Sequence, residues 1–168
     1  MTMKDYRTIV VGTDGSDLAA PTVARAAWLA RRDHADLVII CAFAELSRRD
    51  EAKNVATLGG DTRSGQVLGR AAADLALARA GEVARAQGAT VSAALLIDGE
   101  PAQALVKAAE DRSADLIVMG AVHDRSLAGR LLGTTAEEVT KKATCDVLIV
   151  RPVDPVDELE VPEEVSPS

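Results

Sequence analysis

The chain has 168 residues, of which 48% are hydrophobic and 27% are charged, and its formal net charge is -7. This length and composition predict one soluble globular domain and exclude a largely disordered chain. No apolar run approaches the roughly 20 residues of a membrane helix, so we expect no membrane span. Two cysteines, Cys41 and Cys145, are too few for a disulfide framework. Lys4, Asp5 and Arg7 stand where a signal peptide would be apolar, which together with the cysteine count predicts a cytoplasmic protein.

The acidity is concentrated at the end of the sequence. The segment from Asp154 to Ser168 holds six acidic and no basic residues, and without those six the net charge of -7 becomes -1. This shift in composition predicts a domain over residues 1–152 and a disordered acidic tail over residues 153–168. The nearly neutral domain has only three aromatic residues, Tyr6, Trp28 and Phe43. It therefore lacks the basic surface and stacking platforms that favour nucleic acid, and we expect no nucleic-acid partner.

Short apolar runs alternate with amphipathic, alanine-rich segments along the chain. The apolar runs predict β-strands at residues 8–11, 37–43, 90–97, 116–119 and 147–150, the third nearer a sheet edge. The amphipathic segments predict helices around residues 23–30, 72–83, 102–109 and 136–143. This order predicts an α/β fold with one doubly wound, five-stranded parallel sheet, strand order 3-2-1-4-5, and helices on both faces, as in Rossmann-like proteins. The 22 residues from Glu45 to Gln66 show no clear periodicity and predict a long functional or mobile loop.

Two unusual loops follow the first and fourth predicted strands. In an open α/β sheet, ligands bind at the carboxyl ends of the strands where the strand order reverses, which here lies between those two strands. Asp14, in the first loop, either contacts a ligand or closes its own loop through an Asx turn. In the second loop, Gly133 and Thr134 lead into the fourth helix, whose free N–H groups and dipole favour an anion. The alternative is that Thr134 is simply an N-cap and Gly133 a turn residue.

The second loop resembles the nucleotide-binding motif of the universal stress protein family. That motif has a glycine, a second glycine after two residues, and after nine more a glycine followed by Ser or Thr. Gly120, Gly133 and Thr134 match its first and last positions at the required spacing. The segments IVVGTDGSDLA, ADLIVMG and TCDVLIVRP are also similar to the family, and the resemblance extends from Tyr6 to Pro152.

The resemblance implies the nucleoside end of an adenine-nucleotide site. Asp14 would lie by the nucleoside, with Thr13 beside it. The backbone of Ala42, at the end of the second strand, would contact adenine. Met119 and Gly120 would line the ribose and the phosphates.

The resemblance also implies the phosphate end of the site. Gly133, Thr134 and Thr135 would hold the phosphates, with Gly133 in a positive-φ conformation that brings its backbone N–H to the ligand. Gly129 and Arg130 belong to the same run and are included in the site. The implied ligand is ATP, accompanied by Mg²⁺, or alternatively ADP, AMP or cyclic AMP.

His123 stands where the motif has its second glycine. Histidine is enriched among the uncommon non-glycine residues with positive φ, so the loop can keep its shape. The ring then either contacts the phosphates, most strongly when protonated, or excludes a triphosphate. AMP, ADP, a cyclic nucleotide and an empty site therefore stay open beside ATP.

The resemblance implies a non-enzymatic stress-response regulator that binds an adenine nucleotide. The alternatives are a nucleotide-independent stress protein that acts through protein partners, and a slow ATPase. No catalytic base can be assigned, and no metal-ligand spacing is present. Members of the family commonly dimerise through the fifth strand, here from Val147 to Val150. That strand should lie at an open sheet edge, which predicts a two-fold homodimer.

Overall fold

The computed structural model describes residues 2–46, 66–121 and 132–151. The strands in these residues are β1 (Thr8–Gly12), β2 (Asp36–Ala44), β3 (Val67–Leu68), β4 (Val91–Asp98), β5 (Leu116–Gly120) and β6 (Asp146–Val150). The helices are α1 (Ala19–Asp33), α2 (Arg70–Ala86), α3 (Pro101–Asp111) and α4 (Thr134–Lys142). Residues 47–65 of the predicted long loop and the predicted acidic tail over residues 153–168 lie outside the described residues.

The strands form one parallel sheet. Its order is β3-β2-β1-β5-β6, and β4 also pairs with β2. The predicted α/β class is confirmed, and the five predicted strands have the expected relative order. The prediction of five strands was incomplete, because β3 pairs with β2 at Phe43 and Ala44 and raises the number in the described chain to six. A two-residue strand is too short to show a period of its own in the sequence.

The two faces of the sheet are covered by different helices. Ile9, Val10 and Val11 of β1 are all 0% exposed, so this central strand is buried on both faces. Ile9 and Val11 pack with residues of α1 and α2, whereas Val10 packs with residues of α3 and α4. Strand β4 instead alternates between exposed and half-buried residues over its first half, as expected near an edge. No helix of the described residues is long and apolar enough to cross a membrane.

The first turns of α1, α3 and α4 lie at the carboxyl edge of the sheet. Each of these helices is the next helix after a strand of the sheet, and Pro101 occupies the first position of α3 as predicted. At the other end of the sheet, α2 ends at Ala86 and is followed by Gly88 with φ of 79°, also as predicted. This arrangement brings the starts of these three helices to one region at the carboxyl ends of β1 and β5.

A buried carboxylate at the amino end of the sheet anchors the segment before β1. The Asp33 side chain is 3% exposed and pairs with Arg32 at 2.7 Å between Oδ1 and Nε. The Tyr6 backbone N–H donates to Asp33 Oδ2 at 3.0 Å, and the Tyr6 hydroxyl donates to Asp146 Oδ2 at 2.9 Å. The Arg32 hydrogen bond, followed by the Tyr6 N–H, lowers the pKa of Asp33. The chain entering β1 is thereby tied to α1 and to β6.

Replacing Asp33 with asparagine is expected to lower the free energy of unfolding at pH 7. A carboxyl group whose pKa is lowered by folding stabilises the fold above its unfolded pKa of about 3.9, and this contribution is lost as the pH falls through the folded pKa. The difference between the parent and Asp33→Asn should therefore shrink below about pH 4. Urea unfolding at pH 7 and pH 3 measures this difference in the free energy of unfolding, and Asp36→Asn, at an exposed aspartate, is the control. An equal difference at both pH values would contradict the assigned role of the carboxylate.

Candidate functional site

A pocket lies at the carboxyl edge of the sheet, where β1, β2 and β5 end and α1, α3 and α4 begin. Its position is the point at which the strand order reverses, the usual ligand position in open α/β sheets. The lining residues are Gly12, Thr13, Asp14, Ser16, Leu18, Ala19, Thr22, Ile40, Ala42, Pro101, Leu105, Met119, Gly120, Ala121, Gly133, Thr135 and Ala136.

The structure brings most of the predicted site residues to this pocket. The lining includes Thr13, Asp14, Ala42, Met119, Gly120, Gly133 and Thr135. Thr134 is exposed and is not among the lining residues. The remaining predicted residues, His123, Gly129 and Arg130, lie outside the described residues.

The loop after β1 is held in place by its own side chains. The Thr13 N–H donates to the Ile40 carbonyl at 2.9 Å, which fixes the start of the loop against β2. The Gly15 N–H donates to Thr13 Oγ1 at 3.1 Å, and the Ser16 N–H donates to Asp14 Oδ1 at 2.8 Å. Asp14 therefore forms an Asx turn and also lines the pocket, so the two interpretations of this residue do not exclude each other.

The start of α4 differs from the expectation at two residues. Thr134 is not the N-cap, because the helix begins at Thr134 and Gly133 is the capping residue. Gly133 has φ of -66° and ψ of 160°, so the expected positive φ is wrong. Its N–H donates to the Ala121 carbonyl at 2.7 Å. Gly133 thus joins α4 to the end of β5. The backbone N–H groups that could bind an anion at this end of the helix therefore belong to the first turn after Gly133.

Comparison with known proteins agrees with this architecture. The sequence profile of the Universal stress protein family matches residues 5–151. The chain belongs to the universal stress protein family. Universal stress protein Rv1636 of Mycobacterium tuberculosis is 40% identical over 148 residues, which cover 88% of this chain and 98% of that protein. The family that the sequence resembles is therefore confirmed.

Two solved structures extend the comparison. A universal stress protein crystallised in complex with cAMP has a TM-score of 0.66 and 35% identity, with 89% of this chain and 100% of that chain covered. A universal stress protein of Archaeoglobus fulgidus in complex with dAMP has a TM-score of 0.62 and 23% identity, covering 88% and 99% of the two chains. The latter similarity shows the shared fold.

One polar atom in the pocket of this universal stress protein lacks a partner. Ser16 Oγ is buried, and no other group in the described part of the chain forms a hydrogen bond with it. A buried hydroxyl left without a partner costs about 1–3 kcal/mol. Ser16 lines the pocket, but packing covers its Oγ atom itself.

Several lining residues were not predicted from the sequence. Ile40, Pro101 and Leu105 form an apolar wall together with Ala42 and Met119. Pro101 was recognised as a helix start, and its place after an edge strand was a usable signal for a position at the carboxyl edge. Ile40 and Leu105 gave no such signal, because their apolar side chains match the ordinary core pattern of a strand and a helix.

Thr22 is a further lining residue that the sequence analysis missed. It lies in the buried stripe of α1 and is 2% exposed. A hydroxyl residue at an otherwise apolar stripe position was a signal available in the sequence. The structure shows that the first turns of α1 bring this buried residue to the wall of the pocket.

The two cysteines are structural, as far as the structure describes their surroundings. Cys41 is fully buried, and burial raises the pKa of its thiol to about 12. Burial also raises the pKa of Cys145. A thiol with a raised pKa is a poor nucleophile at neutral pH. No group of three or more metal-ligating side chains occurs in residues 2–46, 66–121 and 132–151.

Substitution of Gly15 tests how the loop after β1 is positioned. Gly15 has φ of 77°, and a Cβ atom there would lie 2.8 Å from the Cβ of Ala76 and 3.2 Å from its Cα. Gly15→Ala is expected to lower the free energy of unfolding by about 2–4 kcal/mol, because left-handed strain and overpacking add. Chemical denaturation measures this change.

Gly88→Ala is the matched control for this substitution. Gly88 has φ of 79°, but its added Cβ would meet Cδ of Arg31, which can move away. Its cost should be confined to backbone strain. The double variant Gly15→Ala with Ala76→Gly should recover part of the loss. If Gly15→Ala and Gly88→Ala were equally destabilising, close packing against Ala76 would not position the loop.

Proposed function

We propose that this universal stress protein binds an adenine nucleotide in the pocket and acts as a non-enzymatic regulator of the stress response. The observation that carries the proposal is a single pocket with an apolar wall on one side and a helix N-terminus and hydroxyl groups on the other. A nucleotide has the same division, since its base is largely apolar on both faces and its phosphates are anionic. The relative crystallised with cAMP, at 35% identity, supports the ligand class.

The base is proposed to lie against the apolar wall. Ile40 and Ala42 belong to β2, Pro101 and Leu105 to the first turns of α3, and Met119 to β5. The wall is thus built from three regular elements. Small and apolar side chains leave room for a flat ring and make burial of its faces favourable. Backbone groups at Ala42 would contact the edge of the base.

The phosphates are proposed to lie at the start of α4. The first N–H groups of a helix have no carbonyl partner within the helix, and the helix dipole favours an anion there. Ser16 lies on the opposite loop and lines the same pocket. Asp14, an acceptor on the same loop, suits the ribose hydroxyl groups. ATP, ADP, AMP and cyclic AMP all satisfy this arrangement, and Mg²⁺ is proposed only as a companion of ATP, held through its phosphates.

The proposed role is regulation without catalysis. Asp14 is the only carboxylate among the described lining residues, and its Oδ1 accepts the Ser16 N–H. A carboxylate occupied in this way is a weak candidate for a general base. A bound nucleotide would instead act through the shape of the loops around the pocket or through a partner surface, in the cytoplasm.

We further propose that the protein is a homodimer formed through β6. In the part of the chain that the structure describes, β6 pairs only with β5 and lies at the end of the sheet. An apolar edge strand exposes unpaired backbone groups that a second copy of the same strand can satisfy. Neither nucleic acid nor a membrane is proposed as a partner.

Calorimetric titration of the purified, nucleotide-free protein with ATP, ADP, AMP and cyclic AMP tests the proposed ligand class. GMP is the control for recognition of the base. The proposal expects adenine nucleotides to compete for one site per subunit and GMP to bind more weakly. Absence of binding by every adenine nucleotide would contradict it and favour a role through protein partners alone. Steady release of phosphate from ATP would contradict the non-enzymatic role.

A further inference from the structure

Gln66 connects two strand ends behind the apolar wall of the pocket. It lies just before β3 and is half-buried, and it is not among the lining residues. Its Nε2 donates to the Gly99 carbonyl at 2.7 Å and to the Phe43 carbonyl at 3.4 Å. The first contact has the length of a strong hydrogen bond, and the second is longer than the usual range of about 2.7–3.2 Å and is therefore weak. One side-chain amide therefore joins the end of β2 to the turn between β4 and α3.

The two acceptor residues are neighbours of the apolar wall. Phe43 directly follows Ala42, and Gly99 comes two residues before Pro101. The Gly99 N–H also donates to the Phe43 carbonyl, at 3.1 Å. The turn that delivers Pro101 and α3 to the pocket is thus held against β2 by one backbone hydrogen bond and by the Gln66 amide.

We propose that Gln66 is a positioning residue for the base side of the nucleotide pocket. This inference rests on the proposed function, because it assigns Gln66 a role in presenting Ala42 and Pro101 to the base. Loss of the amide leaves the Gly99 carbonyl without its 2.7 Å partner, and beyond the β2–β4 pairing that ends at Asp98 the turn is then held to β2 by the Gly99 N–H. The turn that carries Pro101 can then move away from Ala42 on β2, while the phosphate end at α4, which Gln66 does not contact, keeps its geometry.

The test compares Gln66→Ala with the parent for two ligands, adenosine and AMP. If Gln66 positions the base side, affinity for both ligands should fall by the same factor, roughly three- to tenfold, as expected for the loss of one or two net hydrogen bonds. Gly133→Val, at the other end of the pocket, should lower affinity for AMP more than for adenosine. Gln103→Ala is the matched control, since Gln103 is an exposed glutamine on α3. It should change neither affinity.

Three outcomes would overturn the proposal. The first is unchanged affinity for adenosine in a folded Gln66→Ala variant. The second is a loss confined to AMP, which would place the effect at the phosphates. The third combines two results. Gln66→Ala melts at so low a temperature that it is partly unfolded under the titration conditions, and Gln66→Asn, which keeps the amide, binds adenosine no better than Gln66→Ala does.

Hydrogen exchange at the Gly99 amide gives a readout without any ligand. The Gly99 N–H should exchange faster in Gln66→Ala than in the parent, because the turn opens more often in the variant. If the parent bound neither adenosine nor AMP and this exchange still accelerated, the proposed function would fail while the contact of Gln66 with the turn held. Unchanged exchange at Gly99 would show that Gln66 does not hold the turn.

Discussion

Gly133→Val is expected to lower the affinity for AMP at least tenfold. Gly133 is buried, lines the pocket and caps α4 with φ of -66°, a conformation that any residue can adopt. The expected loss is therefore steric. A branched side chain at the helix start would fill the space in which we place the phosphates and would keep them from the first-turn N–H groups. Calorimetric titration of the folded variant measures it.

Gly133→Ser separates this steric effect from helix stability. Serine is a better N-cap than glycine, and its side-chain oxygen can accept an N–H of the first turn, so α4 should become more stable by a few tenths of a kcal/mol. The same hydroxyl competes for the donors that would meet a phosphate. Lower AMP affinity in a variant that is no less stable than the parent would support the site. Parent-like affinity in both Gly133→Val and Gly133→Ser would remove α4 from the site.

Ile149→Pro is expected to convert the proposed dimer to a monomer without unfolding the subunit. The Val150 carbonyl accepts the Ala121 N–H at 2.9 Å, so the backbone groups of Val150 face β5. Because the hydrogen-bonding direction alternates along a strand, the N–H and C=O of Ile149 point to the open edge. Proline there removes a donor from the dimer interface and spares the sheet of the subunit.

Leu148→Pro is the matched control, one residue away. The backbone groups of Leu148 face β5, as those of Val150 do, so this change should destabilise the subunit itself. Two-fold symmetry doubles every loss at the interface, and two lost hydrogen bonds correspond to about 1–3 kcal/mol of association free energy. Light scattering decides the question, and a parent that stays monomeric at high micromolar concentration would contradict the dimer.

The sequence predicted the elements whose signals are local. Apolar runs indicated the central strands, and alanine-rich stripes indicated the helices, because burial in a parallel sheet imposes those patterns directly. The loops after β1 and β5 were assigned to one crevice through the topological rule for open sheets. The structure places Thr13 and Gly133 on the same pocket, although they are far apart in sequence.

What the sequence did not predict depends on tertiary contacts. The two residues of β3 become a strand only because β2 offers Phe43 and Ala44 as partners. Ser16 Oγ loses its access to solvent through packing that no local pattern records. The alternative that Thr134 is simply an N-cap relied on the capping preference of threonine, but Gly133, whose N–H donates to the Ala121 carbonyl, is the N-cap and the helix begins at Thr134.

Amide hydrogen exchange with and without saturating AMP tests most directly whether this pocket binds the nucleotide. With AMP bound, we expect slower exchange in the loop over residues 12–16, in the first turn of α4 and in the turn that carries Gly99, and unchanged exchange in the middle of α2. Gly133→Val, compared at the same AMP concentration, should lose the protection in α4. Binding of AMP that leaves exchange in the loop and in α4 unaltered would contradict the assignment of this pocket as the nucleotide site.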